Sequence, residues 1–208
     1  TIDRFVALAL PEGAMAAPSP RPHLILPDGA RDMAAKKFPL SGEGPVLVLC
    51  PGAEFGPSKR WPAAHYGALA GMAIAAGWRV RVLGSARDAE AGAAVVAACD
   101  GANAGQVDNL VGRTSLIEAA AILADADAVV TNDSGLMHVA SAFDRRIVAL
   151  YGSSSEKMTP PTSPHAQVIS RDLPCRPCLK RECPLGTLAC LEEISPRDVF
   201  EAVERIAR

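Results

Sequence analysis

Val129-Val130-Thr131-Asn132-Asp133-Ser134-Gly135-Leu136-Met137-His138 reads as an apolar strand running straight into a helix, with an acid, a hydroxyl and a glycine at the join. A strand that is apolar without alternation belongs in a parallel sheet covered on both faces. The open amides and positive dipole end of a helix N-terminus suit phosphate. Asp133 would repel phosphate but can hold sugar hydroxyls beside it. A junction with both preferences suits a nucleotide sugar. The same residues also read as a plain helix start capped by Asp133 or Ser134, and from this stretch alone both readings stand. His138, one turn into the helix, either contacts a bound phosphate or fills a polar corner. Neither a serine–histidine–acid order nor a zinc-protease helix motif accompanies it.

The alternation extends outward in both directions. It predicts strands over 46–50, 80–83, 109–112, 128–131, 147–151 and 167–170. Helices are predicted over 63–76, 87–98, 115–123, 135–143 and 195–207. Pro62 suits a first-turn position, Gly77 a helix end, and Ser195-Pro196 a cap followed by a first helical residue. The predicted fold is α/β: a Rossmann-like parallel sheet with helices on both faces, and ligands beyond the carboxyl ends of its strands. Residues 46–208 form this unit. Residues 2–10 read as a short helix or its end, and the Pro- and Gly-rich stretch 11–45 as a linker with a brief extended segment at 24–26.

Two predicted loops carry candidate binding groups. The first runs Pro51-Gly52-Ala53-Glu54-Phe55-Gly56-Pro57-Ser58-Lys59-Arg60-Trp61-Pro62. Gly52 and Gly56 allow close backbone approach. Lys59 and Arg60 can neutralise a diphosphate, arginine in bidentate fashion and lysine as a point charge. The Gly-Lys-Ser/Thr ending of a P-loop is missing, as is Gly-x-Gly-x-x-Gly, which disfavours a nicotinamide-dependent oxidoreductase. A solvated loop with two ordinary cations is the other reading. In the second loop, Gly84 to Glu90, an acid such as Asp88 or Glu90 can hold ribose hydroxyls or simply favour its own helix dipole. Gly112 gives access after the third strand without decisive chemistry.

Composition sets bounds on both. The 208 residues, 49% of them hydrophobic, suffice for one full core. A net charge of −2 and 4% aromatics argue against a nucleic-acid partner. No apolar run reaches the length of a membrane span, and the N-terminus has no secretory pattern. The chain opens without methionine, so it is expected to begin mid-protein. Cys50 and Cys99 sit in apolar surroundings as inert core residues. Cys175-x2-Cys178-x4-Cys183-x6-Cys190 is dense enough for a metal knuckle, yet structural zinc, reduced thiols and a disulfide all remain open.

Three segments together carry a family resemblance. Residues 51–62 and the stretch Thr131 to Ala140 resemble two signatures of the bacterial lipopolysaccharide heptosyltransferases of glycosyltransferase family 9, the heptosyltransferase II group in particular. Leu150 to Ser155, followed by Thr159-Pro160-Pro161, resembles the segment after them. The resemblance implies the C-terminal, donor-binding domain of a GT-B glycosyltransferase. Residues 1–45 would then be the end of an N-terminal acceptor domain and the interdomain linker. It implies transfer of L-glycero-D-manno-heptose from ADP-heptose to the lipopolysaccharide inner core, inverting, metal-independent and without a cofactor. Lys59 would bind the diphosphate and Asp133 the heptose, with Ser134, Gly135 and His138 around the phosphates and Arg60, Ser85 and Glu90 also at the donor. The general base is expected in the N-terminal domain, against which helix 195–207 would pack. The implied setting is the cytoplasm, with peripheral contact at the inner membrane. A non-catalytic ADP-sugar-binding module, or a family 9 transferase with another core acceptor, is the alternative.

Overall fold

The computed structural model describes residues 6–11, 14, 21–99 and 103–207. Helix α1 spans Ala30–Lys37, and strand and helix then alternate: β1 (Val46–Cys50), α2 (Ala63–Ala75), β2 (Arg79–Val82), α3 (Ala89–Ala98), β3 (Val107–Asn109), α4 (Leu116–Ala124), β4 (Ala128–Asn132), α5 (Gly135–Ser141), β5 (Ile147–Tyr151), β6 (Ala166–Ser170), α6 (Ala189–Glu192) and α7 (Pro196–Ala207). The six strands form one sheet in the order β3-β2-β1-β4-β5-β6. Every pairing in it is parallel.

Successive residues of a strand face opposite sides of its sheet, and both sides here are covered. Leu47, Leu49, Val130, Val148 and Leu150 pack under the helices that carry Tyr66, Leu69, Val95, Val199 and Val203. Val48, Cys50, Val129, Ile147 and Ala149 pack on the other side against Ile122, Leu123, Met137 and Ala140. The continuous apolar runs of β1, β4 and β5 follow directly from this double burial. Helix α4 begins with a reciprocal capping box, Ser115 Oγ accepting from Glu118 N–H and Glu118 accepting from Ser115 N–H. Ser195 Oγ likewise accepts from Asp198 N–H at the start of α7.

Several expectations need correction. The stretch 11–45 is not linker alone, since it contains α1. That helix is fastened to α4 by Lys37–Glu118 (2.8 Å) and Arg31–Asp125 (2.6 Å), with Phe38 buried behind it. No strand forms at 24–26, although Leu24 N–H donates to Ala142 O. The third strand ends at Asn109 rather than running to Gly112, because Asn109 Oδ1 accepts from Val111 N–H and turns the chain. Helix α7 does not keep its apolar face for another domain: Val199, Ala202 and Val203 are fully buried here, packed against α2, β4 and β5. Of the helix expected over 2–10, residues 6–8 are helical and 1–5 lie outside the described residues. Among the described residues, no helix is long and apolar enough to cross a membrane.

Candidate nucleotide-sugar site

Strand order reverses between β1 and β4, where one half of the sheet winds outward through β2 and β3 and the other through β5 and β6. Loops leaving adjacent strands at such a point part from each other and leave a crevice beyond the strand ends. The 51–62 loop, which follows β1, and the strand-to-helix junction at Asp133 and Ser134, which follows β4, both start there.

Asn132, fully buried at the end of β4, ties the two together. Its Oδ1 accepts from Trp61 N–H (3.1 Å) and Tyr66 Oη–H (3.2 Å), and its Nδ2 donates to Pro51 O (2.7 Å). Tyr66 Oη also reaches Cys50 O at 3.3 Å. Burial pushes the Tyr66 phenol well above its ordinary range, so it stays protonated as a donor. Trp61 is anchored at its other end by Nε1–H donating to Ile194 O. The turn Pro57–Lys59 between these anchors leaves little choice for Lys59. Its Nζ lies 2.6 Å from Asp133 Oδ2, with the two side chains 17% and 4% exposed, and 5.2 Å from the centre of the Phe55 ring. Two groups named from separate loops therefore meet.

The start of α5 is open. Ser134 is its N-cap residue but makes no side-chain cap hydrogen bond, and Asp133 is engaged with Lys59. The plain capped-helix reading of this junction does not hold. Ser134 Oγ instead lies 3.3 Å from Thr131 Oγ1. Beside this junction a cleft of about 380 Å³ lies across the strand ends, lined by Gly52, Glu54, Ser85, Asp88, Ser134 and Gly135 on its polar side and by Leu116, Leu136 and Val139 among its apolar residues. Apolar walls with few polar groups suit a small-molecule site.

The remaining candidates divide. Ser85 lines the cleft, its hydroxyl held by Asp88 Oδ2 at 2.7 Å. Glu90 is exposed on the first turn of α3 and does not line the cleft, whereas Asp88, two residues earlier, does. Arg60 folds back on its own loop, both Nε and Nη2 donating to Ala53 O, so the guanidinium braces the loop. His138 is exposed in area, but desolvation foremost lowers its pKa. The Lys59 charge lowers it further and Asp133 opposes both. The imidazole thus senses the Lys59–Asp133 pair. Asp88 had been named beside Glu90 as an acid for ribose hydroxyls, whereas Asn132 was within reach of sequence reading only as a polar residue at a strand end. Nothing in the sequence announces that Asn132 is the buried latch.

Among the described residues, which include all six cysteines, no disulfide forms. Cys50 and Cys99 are buried as expected, and burial raises the Cys50 thiol far above its ordinary range. Cys175, Cys178, Cys183 and Cys190 share one cavity of about 280 Å³. Among the described residues, no group of three potential ligands is disposed to hold a metal ion.

Comparison with known proteins agrees with this fold. A curated lipopolysaccharide heptosyltransferase 2 of Salmonella typhimurium is 42% identical over 211 residues, covering 99% of this chain and 61% of the relative. The solved structure of ADP-heptose lipopolysaccharide heptosyltransferase II of E. coli superimposes with a TM-score of 0.86 at 39% identity, over 99% of this chain and 61% of that one. A family 9 glycosyltransferase structure from Veillonella parvula gives 0.76 at 26% identity, over 89% and 53%. The chain thus spans about three fifths of the length of the first two. The sequence model of glycosyltransferase family 9 (heptosyltransferase) matches residues 1–189, and with the 42% identical relative this makes the chain a member of that family.

Proposed function

We propose that this chain is the donor-binding part of an inverting heptosyltransferase that moves L-glycero-D-manno-heptose from ADP-heptose to the inner core of lipopolysaccharide. The observation that carries the reading is the Lys59–Asp133 pair beside the uncapped start of α5. Burying an ion pair costs desolvation that its attraction only partly repays, so stability alone is a weak reason to keep one. A diphosphate supplies the reason. Entering the crevice, it competes with Asp133 for Lys59 and accepts hydrogen bonds from the open amides of α5. Asp133, released, accepts from hydroxyls of the heptose. The adenosine occupies the cleft, its base between Leu116, Leu136 and Val139 and its ribose toward Ser85 and Asp88.

The reaction is a direct displacement. The acceptor hydroxyl attacks the anomeric carbon from the face opposite the diphosphate, the carbon–oxygen bond to ADP breaks, and the configuration inverts. Negative charge grows on the departing β-phosphate, where Lys59 and the α5 amides meet it without reorganising. The general base must reach the acceptor hydroxyl within hydrogen-bond distance, and it is assigned to the part of the longer relatives that this chain does not cover. The acceptor brings the enzyme to the cytoplasmic face of the inner membrane as a peripheral visitor.

Calorimetric titration of this chain with ADP-heptose, ADP, UDP-glucose and NAD tests the reading. Selective binding of ADP-heptose supports it. NAD binding with indifference to ADP-heptose, in protein shown to be folded, would replace it with an oxidoreductase.

A further inference from the structure

The segment bearing the four clustered cysteines is built around one sulfur. The Cys183 sulfur is faced by the backbone amides of Leu188 foremost, then Leu185, Thr187 and Gly186, which favour its thiolate. The chain can curl this tightly because Gly186 (φ 69°) and Leu188 (φ 49°) adopt left-handed conformations. For leucine that conformation is strained, and such strain concentrates at functional sites. Cys190 stands on α6 in the same cavity. Burial raises its pKa first, and the charge of Cys183 is the next largest influence, ahead of Cys175 and Cys178. The two sulfurs thus line one cavity, Cys183 favoured as thiolate and Cys190 as thiol.

The same segment grips the Lys59 turn from outside. Ser58 Oγ donates to Lys180 O at 2.5 Å, and Ser58 N–H donates to Arg181 O. Leu179 N–H donates to Ser153 O, whose own hydroxyl lies 2.9 Å from that of Ser58. Ser58, Gly152 and Ser153 also form the far wall of the thiol cavity. Displacing Cys183 would therefore be felt two to three residues away, at the carbonyls holding Ser58.

We propose that Cys183 and Cys190 form a thiol–disulfide exchange site for small-molecule disulfides, and that its oxidation loosens the turn carrying Lys59. The Cys183 thiolate attacks one sulfur of a disulfide such as oxidised glutathione, forming a mixed disulfide and expelling one glutathione thiolate. Cys190 loses its proton to solvent and attacks the Cys183 sulfur, forming the Cys183–Cys190 bond and expelling the second glutathione thiolate. The cysteine pair gives up two electrons, and the glutathione disulfide takes both. The Cys183 sulfur leaves its amides, and the 180–183 backbone moves with it.

The exchange does not depend on the donor reading, and its test is separate. The protein is treated with oxidised glutathione at neutral pH and followed by intact mass and peptide mapping. The expected results are an intrachain 183–190 disulfide in the wild type, a persistent glutathione adduct on Cys183 in Cys190→Ser, and no fast reaction in Cys183→Ser. Equal reaction rates in Cys183→Ser and wild type, or a disulfide between other cysteines, would overturn the assignment. The coupling, which rests on the donor-site reading, is checked by titrating ADP into reduced and oxidised wild-type protein. Weakening by about tenfold, reversed by dithiothreitol, is the size expected for loss of the two hydrogen bonds that hold Ser58. Oxidised protein that binds ADP as well as reduced protein does would overturn the coupling while leaving the exchange site standing. Failure of the reduced protein to bind ADP would instead count against the donor site.

Discussion

Asp133 is held by Lys59, 2.6 Å away and almost wholly buried. In the proposed donor mode a diphosphate would have to win the lysine from it, so Asp133 would oppose binding of the leaving group and favour binding of the sugar. Asp133→Asn is therefore expected to leave ADP affinity unchanged or raised and to remove the advantage of ADP-heptose over ADP. The size of that loss is about 1–3 kcal/mol, that of hydrogen bonds to a buried charged group. Parallel titrations of the two ligands measure it, and equal loss for both would reduce Asp133 to a structural partner of Lys59. These two residues stood out in the sequence because each is a charge at a strand-to-helix loop, although a helix cap and a solvated loop were equally open readings there. Arg60 reads the same way and ends up elsewhere, since its guanidinium is claimed by Ala53 O within its own loop. Asn132 was illegible as a latch because its partners come from Pro51, Trp61 and Tyr66, which only the folded sheet assembles.

At the scale of elements, the site depends on backbones that touch without side chains between them. A Cβ on Gly152, just past β5, would lie 2.7 Å from Ser58 O and 2.7 Å from the Leu191 side chain. Gly152→Ala is expected to push the Lys59 turn away, weakening ADP binding by more than tenfold while overpacking costs about 1–3 kcal/mol of stability. Urea unfolding and calorimetry on the same preparation separate the two effects. Gly67 meets a different neighbour, with its Cβ position 2.5 Å from the Ala98 carbonyl carbon where α2 crosses α3. Most elements were legible because their signals are local: apolar runs for β1, β4 and β5, and serine caps for α4 and α7. Helix α1 was not. It starts at Gly29 without a side-chain cap and buries only Ala30 and Ala34 within its span, so the sequence resembles a polar linker. Its stability comes mainly from burying Ala30, Ala34 and Phe38 against the rest of the fold, a tertiary contribution to which the exposed ion pairs add little.

For the molecule as a whole, α1 and the sheet domain are joined partly through a titrating group. The Lys37 ammonium and the Ser115 amide hold the Glu118 carboxyl down at about 2 from an ordinary 4.5. A carboxylate depressed on folding adds stability that is fully present above its unfolded pKa and is lost as pH falls through the folded one. The midpoint of thermal unfolding is thus expected to decline between about pH 4.5 and 2, and to decline less steeply in Glu118→Gln, which begins lower at neutral pH. Identical slopes would dissociate Glu118 from acid sensitivity. The parallel sheet was foreseeable from the rhythm of strands and helices, because right-handed crossovers leave few ways to build it; its strand order, and so the switch point, was not. The surface against which residues 21–45 fold was not, since composition reports flexibility and says nothing of a partner surface.

The proposed function requires Lys59 to bind the diphosphate. Calorimetric titration of ADP-heptose into the wild type and Lys59→Ala, with folding checked by circular dichroism, addresses it directly. Measurable binding in the wild type and a loss of about 100-fold in the variant are predicted, the scale of a charge-assisted contact in a partly buried site. Equal affinity in two folded proteins would contradict the assignment and leave the Lys59–Asp133 pair as an ion pair of the fold.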